Sequence, residues 1–236
     1  MEKVVLPLWR PAELSPDGFR EALLTLGSAE LCDKPGVRAL RLAVADSAVE
    51  PAAAKRMASF GELPDAVLSV WLDAVTQTPP LQQSLATIAA RCEAYLVTES
   101  EQILNAEAVD TAGRVPGFCQ VVFLQRPDRL SEQEWLSIWQ GSHTEVAIRT
   151  QSTFGYRQNV IVRSLTAPVT PYSAMIEENF PVEAMTSDHA FYAASDDEML
   201  RQNSKAMLES CARFIDFDRI SVIPMSEYLL KRQAGT

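Results

Sequence analysis

The chain has 236 residues, 47% apolar and 22% charged, enough material for a sizeable core in one large domain or two small ones. Its 31 acidic against 21 basic side chains leave a formal charge of −10, which repels phosphate backbones and anionic lipid and argues against nucleic acid and membranes as partners. No apolar run is long enough to cross a bilayer, residues 4–9 are too short for a signal segment, and the four cysteines lie far apart, so a cytoplasmic chain with reduced thiols is expected.

In chain order, an apolar run at 3–9 reads as a strand that stops at Arg10-Pro11, followed by a helix at 16–26 and strands at 37–45 and 66–72. A helix at 81–93 and a strand at 94–98 complete the first half. Residues 105–117 carry turn formers and two glycines and read as a connection, which sets a first unit at 1–106, a linker at 107–117 and a second unit at 118–236. The second half opens with a strand at 119–126 ended by Pro127. Ser131-x-x-Glu134 is a capping box and starts a helix reaching about Arg149. Residues 155–163 alternate Tyr156, Gln158, Val160 and Val162 against Arg157, Asn159, Ile161 and Arg163, the period of a strand. Residues 189–194 read as the third strand. Ser195-x-x-Glu198 starts a helix to about Phe214, and 220–223 form the last strand.

The halves repeat one pattern. Arg10-Pro11-x-x-Leu14-Ser15-x-x-x-Phe19 recurs as Arg126-Pro127-x-x-Leu130-Ser131-x-x-x-Trp135, and Gly36-x-Arg38 recurs as Gly155-x-Arg157. Asp65 and Asp73 match Asp188 and Asp196, and Ser100-Glu101 matches Ser226-Glu227, with an offset that grows steadily along the chain. Each half orders strand, helix, strand, strand, helix, strand, the ferredoxin-like βαββαβ unit. Such a sheet leaves one face bare, and two copies can cover it by packing sheet to sheet as an α+β barrel, with the space between the sheets a natural cavity.

Leu130-Ser131-x-x-x-Trp135-x-x-x-Trp139-x-x-x-His143 followed by Gly155-x-Arg157 resembles the EthD family of the dimeric α+β barrels, and residues 65–73 resemble its third strand. The resemblance implies a barrel completed within one chain, as a monomer or in a homodimer, and a superfamily that includes cyclases, monooxygenases and haem-handling enzymes. The first half departs from the pattern, with Leu23 and Gly27 where the second has Trp139 and His143. Asn159 and Leu40 stand where the family commonly has Tyr, and His189 and Ala66 where it commonly has Gly.

His143 is the candidate catalytic residue, because an imidazole beside an apolar cavity can act as acid or base near neutrality; the plain alternative is a hydrogen-bonded helix residue. Trp139, Tyr156, Arg157, Asn159 and His189 are the candidate substrate-binding residues. An Arg157 fork could hold a carboxylate or phenolate with Asn159 adding a hydrogen bond, against a plain salt-bridged arginine. Trp139 and Tyr156 read equally as core aromatics, and His189 as structural. No phosphate loop, metal-ligand spacing or serine nucleophile motif is present, so neither metal nor nucleotide cofactor is expected. The expected function is a small-molecule-binding barrel, either a cofactor-independent acid/base enzyme on an apolar, aromatic or polyketide-like metabolite or a non-catalytic binding or accessory protein. A haem-binding barrel is the third reading.

Overall fold

The computed structural model describes residues 1–59, 61–167 and 169–232. The first half runs β1 (Glu2–Trp9), α1 (Pro16–Ala29), β2 (Val37–Val44), a two-residue β3 (Met57–Ala58), β4 (Ala66–Leu72), α2 (Thr78–Leu85), a two-residue β5 (Arg91–Cys92) and β6 (Tyr95–Ile103). The second runs β7 (Phe118–Leu124), α3 (Glu132–Leu136), α4 (Thr144–Thr150), β8 (Gly155–Ser164), β9 (Ala174–Phe180), α5 (Asp188–Phe191), α6 (Asp197–Ala212) and β10 (Ile220–Lys231).

The long strands pair in the order β2-β4-β1-β6-β8-β9-β7-β10, and β10 pairs back onto β2. Every pairing is antiparallel, so the sheet is a closed eight-stranded barrel. The junctions between halves are β6 with β8, where Thr98 faces Val160, and β10 with β2, where Glu227 faces Ala43. Side chains alternate across a strand, so each strand serves two layers. Val5, Val67, Tyr95, Val121, Phe123, Met175 and Ile223 fill the lumen. Val4, Leu6, Leu40, Leu68 and Val70 turn outward against α1 and its neighbours. Val122, Tyr156, Ile176, Ile220 and Val222 turn outward in the second half, under the helices of that side. Burial on both faces explains why Val4 to Trp9 and Ala66 to Leu72 read as continuous apolar runs.

Helix α1 starts where the sequence says it should. Ser15 caps it by accepting from the Gly18 amide at 3.0 Å, Pro16 sits in its first turn, and Phe19, Leu23 and Gly27 form the buried stripe. Full burial of Phe19 or Leu23 contributes about 1.5–3 kcal/mol each. In the second half Ser131 and Glu134 make the expected capping box. The helix it opens continues past α3 through a π-helical stretch, Ser137–His143, into α4, and Thr144 Oγ1 donates back to the Trp139 carbonyl at 3.0 Å. Such π segments inside α-helices concentrate at functional sites.

Several expectations are corrected. Residues 189–194 are not a strand: Ser187 caps the short helix α5, which contains His189. The third strand of this half is β9, whose Glu177 and Glu178 interrupt the apolar pattern that marks the other strands. Asp188 therefore does not correspond to Asp65. The place of Asp65, which accepts from the Arg10 amide at 2.9 Å, is taken by Ser173, which accepts from the Arg126 amide at 2.9 Å. The same two arginines both reach the carbonyl four residues on, Leu14 and Leu130. Helix α6 is capped by Asp196 rather than Ser195, and the helix expected over 81–93 is the shorter α2. Apolar side chains and an ionic cluster fill much of the barrel interior, and a space remains at its mouth.

The chain enters β7 through Gly117, at φ +72°, with its Cα against the Phe180 carbonyl of β9. A Cβ there has nowhere to go, because the obstacle is backbone. Gly117→Ala is expected to lower the unfolding free energy by about 2 kcal/mol or more, read from urea midpoints at constant slope.

Candidate functional site

Three neighbouring strands bring Gln120, Glu178 and Tyr156 into one row on the outer face of the second half, since Glu178 pairs with Gln120 across β7–β9 and with Tyr156 across β8–β9. Helix α6 and the π-helical stretch lie over this row. Between them is a cavity of about 370 Å³, a size suited to a small organic molecule. Its walls are largely apolar, with Val122, Ile176, Phe191, Met207, Phe214 and Ile215, and half-exposed Met57, Leu208 and Phe217 stand at its mouth.

His143, Glu178, Tyr156 and Gln151 are among the polar groups that face this apolar space. His143, 3% exposed, is held through Nδ1 to the Ser210 hydroxyl at 3.0 Å and lies with its ring 4.5 Å from that of Phe214. Burial, with the Arg213 charge adding to it, lowers its pKa to about 4, so the imidazole is neutral at pH 7. Glu178 is buried, and burial pushes its pKa up to about 7, opposed by a hydrogen bond with the Gln120 side chain. Tyr156 accepts from Gln158 Nε2 at 2.9 Å, and burial followed by the Glu178 charge raises its phenol well above the usual range. Gln151 lines the cavity with a buried Oε1 that has no hydrogen-bond partner. Cys211 also faces it, but burial and the Glu178 charge push the thiol up to about 12, so it is no nucleophile.

The expected site residues thus divide. His143 and Tyr156 line this cavity. Trp139 is fully buried in the core behind it, tilted against Trp135 at 5.1 Å between ring centroids. His189 stands outside, 43% exposed, with Nε2 3.0 Å from Asp197. Arg157 and Asn159 point the other way, into the barrel lumen, where Arg157 Nη2 donates to Glu227 at 2.5 Å and Asn159 Nδ2 to Glu177 at 3.1 Å. Arg38 is a surface residue paired with Asp73. Glu178, Gln120 and Gln151 escaped notice in the sequence. The usable signal was the Glu177-Glu178 pair inside an otherwise apolar run, which in a strand sends one carboxylate to each face. Among the described residues no group of three His, Cys, Asp or Glu side chains is placed to hold a metal ion, and no helix is long and apolar enough to cross a membrane.

Glu178 and His143 tilt stability in opposite directions with pH. Glu178 stays protonated in the folded chain up to about 7 while its ordinary value is 4.5, so the unfolded state ionises first and stability falls as pH rises from 4.5 to 7. His143 stays neutral down to about 4 against an ordinary 6.5, so stability falls as pH drops from 6.5 to 4. Measured against wild type in urea, Glu178→Gln is expected to gain stability as pH rises through its window, and His143→Gln to gain as pH falls through its own. Differences from wild type that stay flat with pH in either variant would refute the corresponding assignment.

No family model matches the chain, and no curated protein matches it. Solved structures do. An anthrone oxidase-like protein superposes with a TM-score of 0.59 at 6% identity, covering 98% of this chain and 94% of that one. A candidate monooxygenase from Fusobacterium nucleatum gives 0.52 at 9% identity over 98% and 92% of the two chains. A mutant chlorite dismutase from Candidatus Nitrospira defluvii gives 0.50 at 7% identity over 97% and 91%. At these identities the likeness concerns the fold: the chain has the closed antiparallel barrel with flanking helices of the α+β barrel proteins.

Proposed function

We propose that the chain is an EthD-like barrel of two ferredoxin-like units, residues 1–106 and 118–236 joined by 107–117, and that the second unit binds a small, flat, largely apolar molecule and moves a proton on it with Glu178. The observation that carries this reading is a carboxyl enclosed in an aromatic-lined cavity with no cation against it and a pKa brought to about 7. A carboxyl poised at the working pH is suited to general acid/base catalysis. In its ionised form Glu178 takes a proton from an acidic C–H or O–H of the ligand, leaving an enolate or phenolate. Return of that proton to a second atom completes an isomerisation or cyclisation with no other reactant. Tyr156 and Gln151 supply hydrogen bonds that orient the ligand oxygen, and neutral His143 supports them as a hydrogen-bonding rather than charged group.

This reading assigns no haem to the site. Among the described residues lining the cavity the one cation is Lys55, whose Nζ is already 3.0 Å from Asp188, so haem carboxylates would face Glu178 and Asp188 instead of positive partners.

β-Tetralone in D2O tests both catalysis and mere binding, because its activated benzylic C–H exchanges by proton abstraction alone. Wild type is expected to accelerate exchange about 100-fold or more over Glu178→Gln, while both retain binding in a ligand-observed NMR titration. Equal exchange in the two proteins would overturn the assignment of Glu178; binding without exchange in wild type would favour the carrier reading. Haemin added to the chain is expected to give no Soret shift that depends on His143, and such a shift would reinstate the haem reading.

A further inference from the structure

The lumen holds a second polar centre, separated from the Glu178 cavity by the sheet itself. Lys3, Arg41 and Arg157 meet Glu99, Glu177 and Glu227 at one end of the barrel. Lys3 Nζ donates to Glu99 and, at 2.9 Å, to Glu177; Arg157 Nε lies 3.3 Å from Glu177, and its Nη2 donates to Glu227. Burial pushes Glu177 upward, but the Arg157 and Lys3 charges overcome it and hold the carboxyl below its usual range. Three cations thus answer three carboxylates, and the cluster needs nothing more to neutralise its charge.

Its hydrogen bonds are not all spent. Arg157 is 1% exposed, yet its Nη1 has no partner, although a guanidinium carries two N–H donors there. Arg157 lines a cavity of about 310 Å³ at the barrel mouth, together with Arg41, Trp71, Lys231 and Arg232. The carboxylates in that lining are Glu99 and Glu101, and Glu99 is occupied by Lys3 and by Trp71 Nε1 at 3.2 Å. With the paired cluster counted in, Lys3, Arg41, Arg157, Lys231 and Arg232 stand against Glu99, Glu101, Glu177 and Glu227, so the mouth keeps a small positive excess on a molecule of net charge −10, where field lines draw in small anions. Trp71 adds a flat apolar surface beside the positive groups, with the Arg41 guanidinium 5.8 Å from its ring centroid.

We propose that the barrel mouth is a second binding site, for a small aryl carboxylate, with the carboxylate on Arg157 Nη1 and Arg41 and the ring against Trp71. The free donor of a buried guanidinium sets the carboxylate end, because an anionic acceptor completes a fork that neutral acceptors satisfy less well. The site is independent of the reaction proposed for Glu178, since the two cavities open on opposite faces of the sheet.

Benzoate is the probe and benzamide its uncharged counterpart. Titration of the full chain, followed by the indole N–H resonance of Trp71 as assigned with Trp71→Phe, is expected to saturate for benzoate with a Kd below about 1 mM and to show no saturation for benzamide. Arg157→Gln breaks a buried ion pair and risks the fold, so Arg41→Gln, at the rim, is the working variant; it is expected to weaken benzoate about tenfold. Saturation by benzamide at equal affinity, full affinity in Arg41→Gln, or no shift of the Trp71 signal would each overturn the proposal. The last result would mean that ordered water completes the Arg157 hydrogen bonds.

Discussion

The pairing of β10 with β2 is the contact on which the rest of the molecule depends. It joins the last strand of the chain to the second and converts an open sheet into a barrel with no free edge among its long strands. Once the ring is closed, each strand position has a fixed side. Pairing two halves at two seams also places groups distant in sequence within bonding reach, as with Lys3 and Glu177 or Arg157 and Glu227. Buried Asp46 strengthens the closing seam: it accepts from the Ser226 hydroxyl at 2.7 Å and the Tyr228 phenol at 3.3 Å, while Arg20 of α1 reaches it from the helix layer.

The sheet therefore works as a partition between two kinds of chemistry. On its inner side, charges are matched against each other, and the Arg157 and Lys3 charges hold Glu177 below its usual range in spite of its burial. On its outer side, under the helices, a carboxyl meets aromatic and aliphatic neighbours and its proton is held toward neutrality. Glu177 and Glu178 are identical in type and adjacent in sequence, and only the pleat of β9 separates their environments.

Much of the architecture was legible in the sequence, because several signals agreed: the apolar runs of β1 and β4, the Ser15 and Ser131 caps, and the alternation along β8. β9 was hidden because its two glutamates lie on opposite buried faces, a placement that composition alone argues against. The short helix around His189 resembled a strand because Ala190, Phe191 and Tyr192 are apolar and α5 has only four residues to display a helical period. Within the site, His143 and Tyr156 were visible through motif and spacing. The separation of Tyr156 from Arg157 was also implicit in the alternation of β8, since neighbours on one strand cannot share a cavity. What no spacing could reveal is which side of the sheet holds a cavity, because that depends on how fully the helices cover the outer face.

The adjacent glutamates have one more consequence, for how the chain finds its fold. If β9 slid by one position so that Glu177 took the place of Glu178 beneath the helices, Ile176 would enter the lumen opposite Arg157 and Glu178 would stand where Asn179 meets Glu227. Glu177 would then lose Lys3, Arg157 and Asn159 together and leave the Arg157 charge poorly matched, a penalty of about 3–5 kcal/mol of the kind paid when a buried ion pair loses a partner. The two side chains thus mark alignment: the opposite slide keeps a carboxylate beside Arg157, but it carries Glu177 beneath the helices in the place of Ile176.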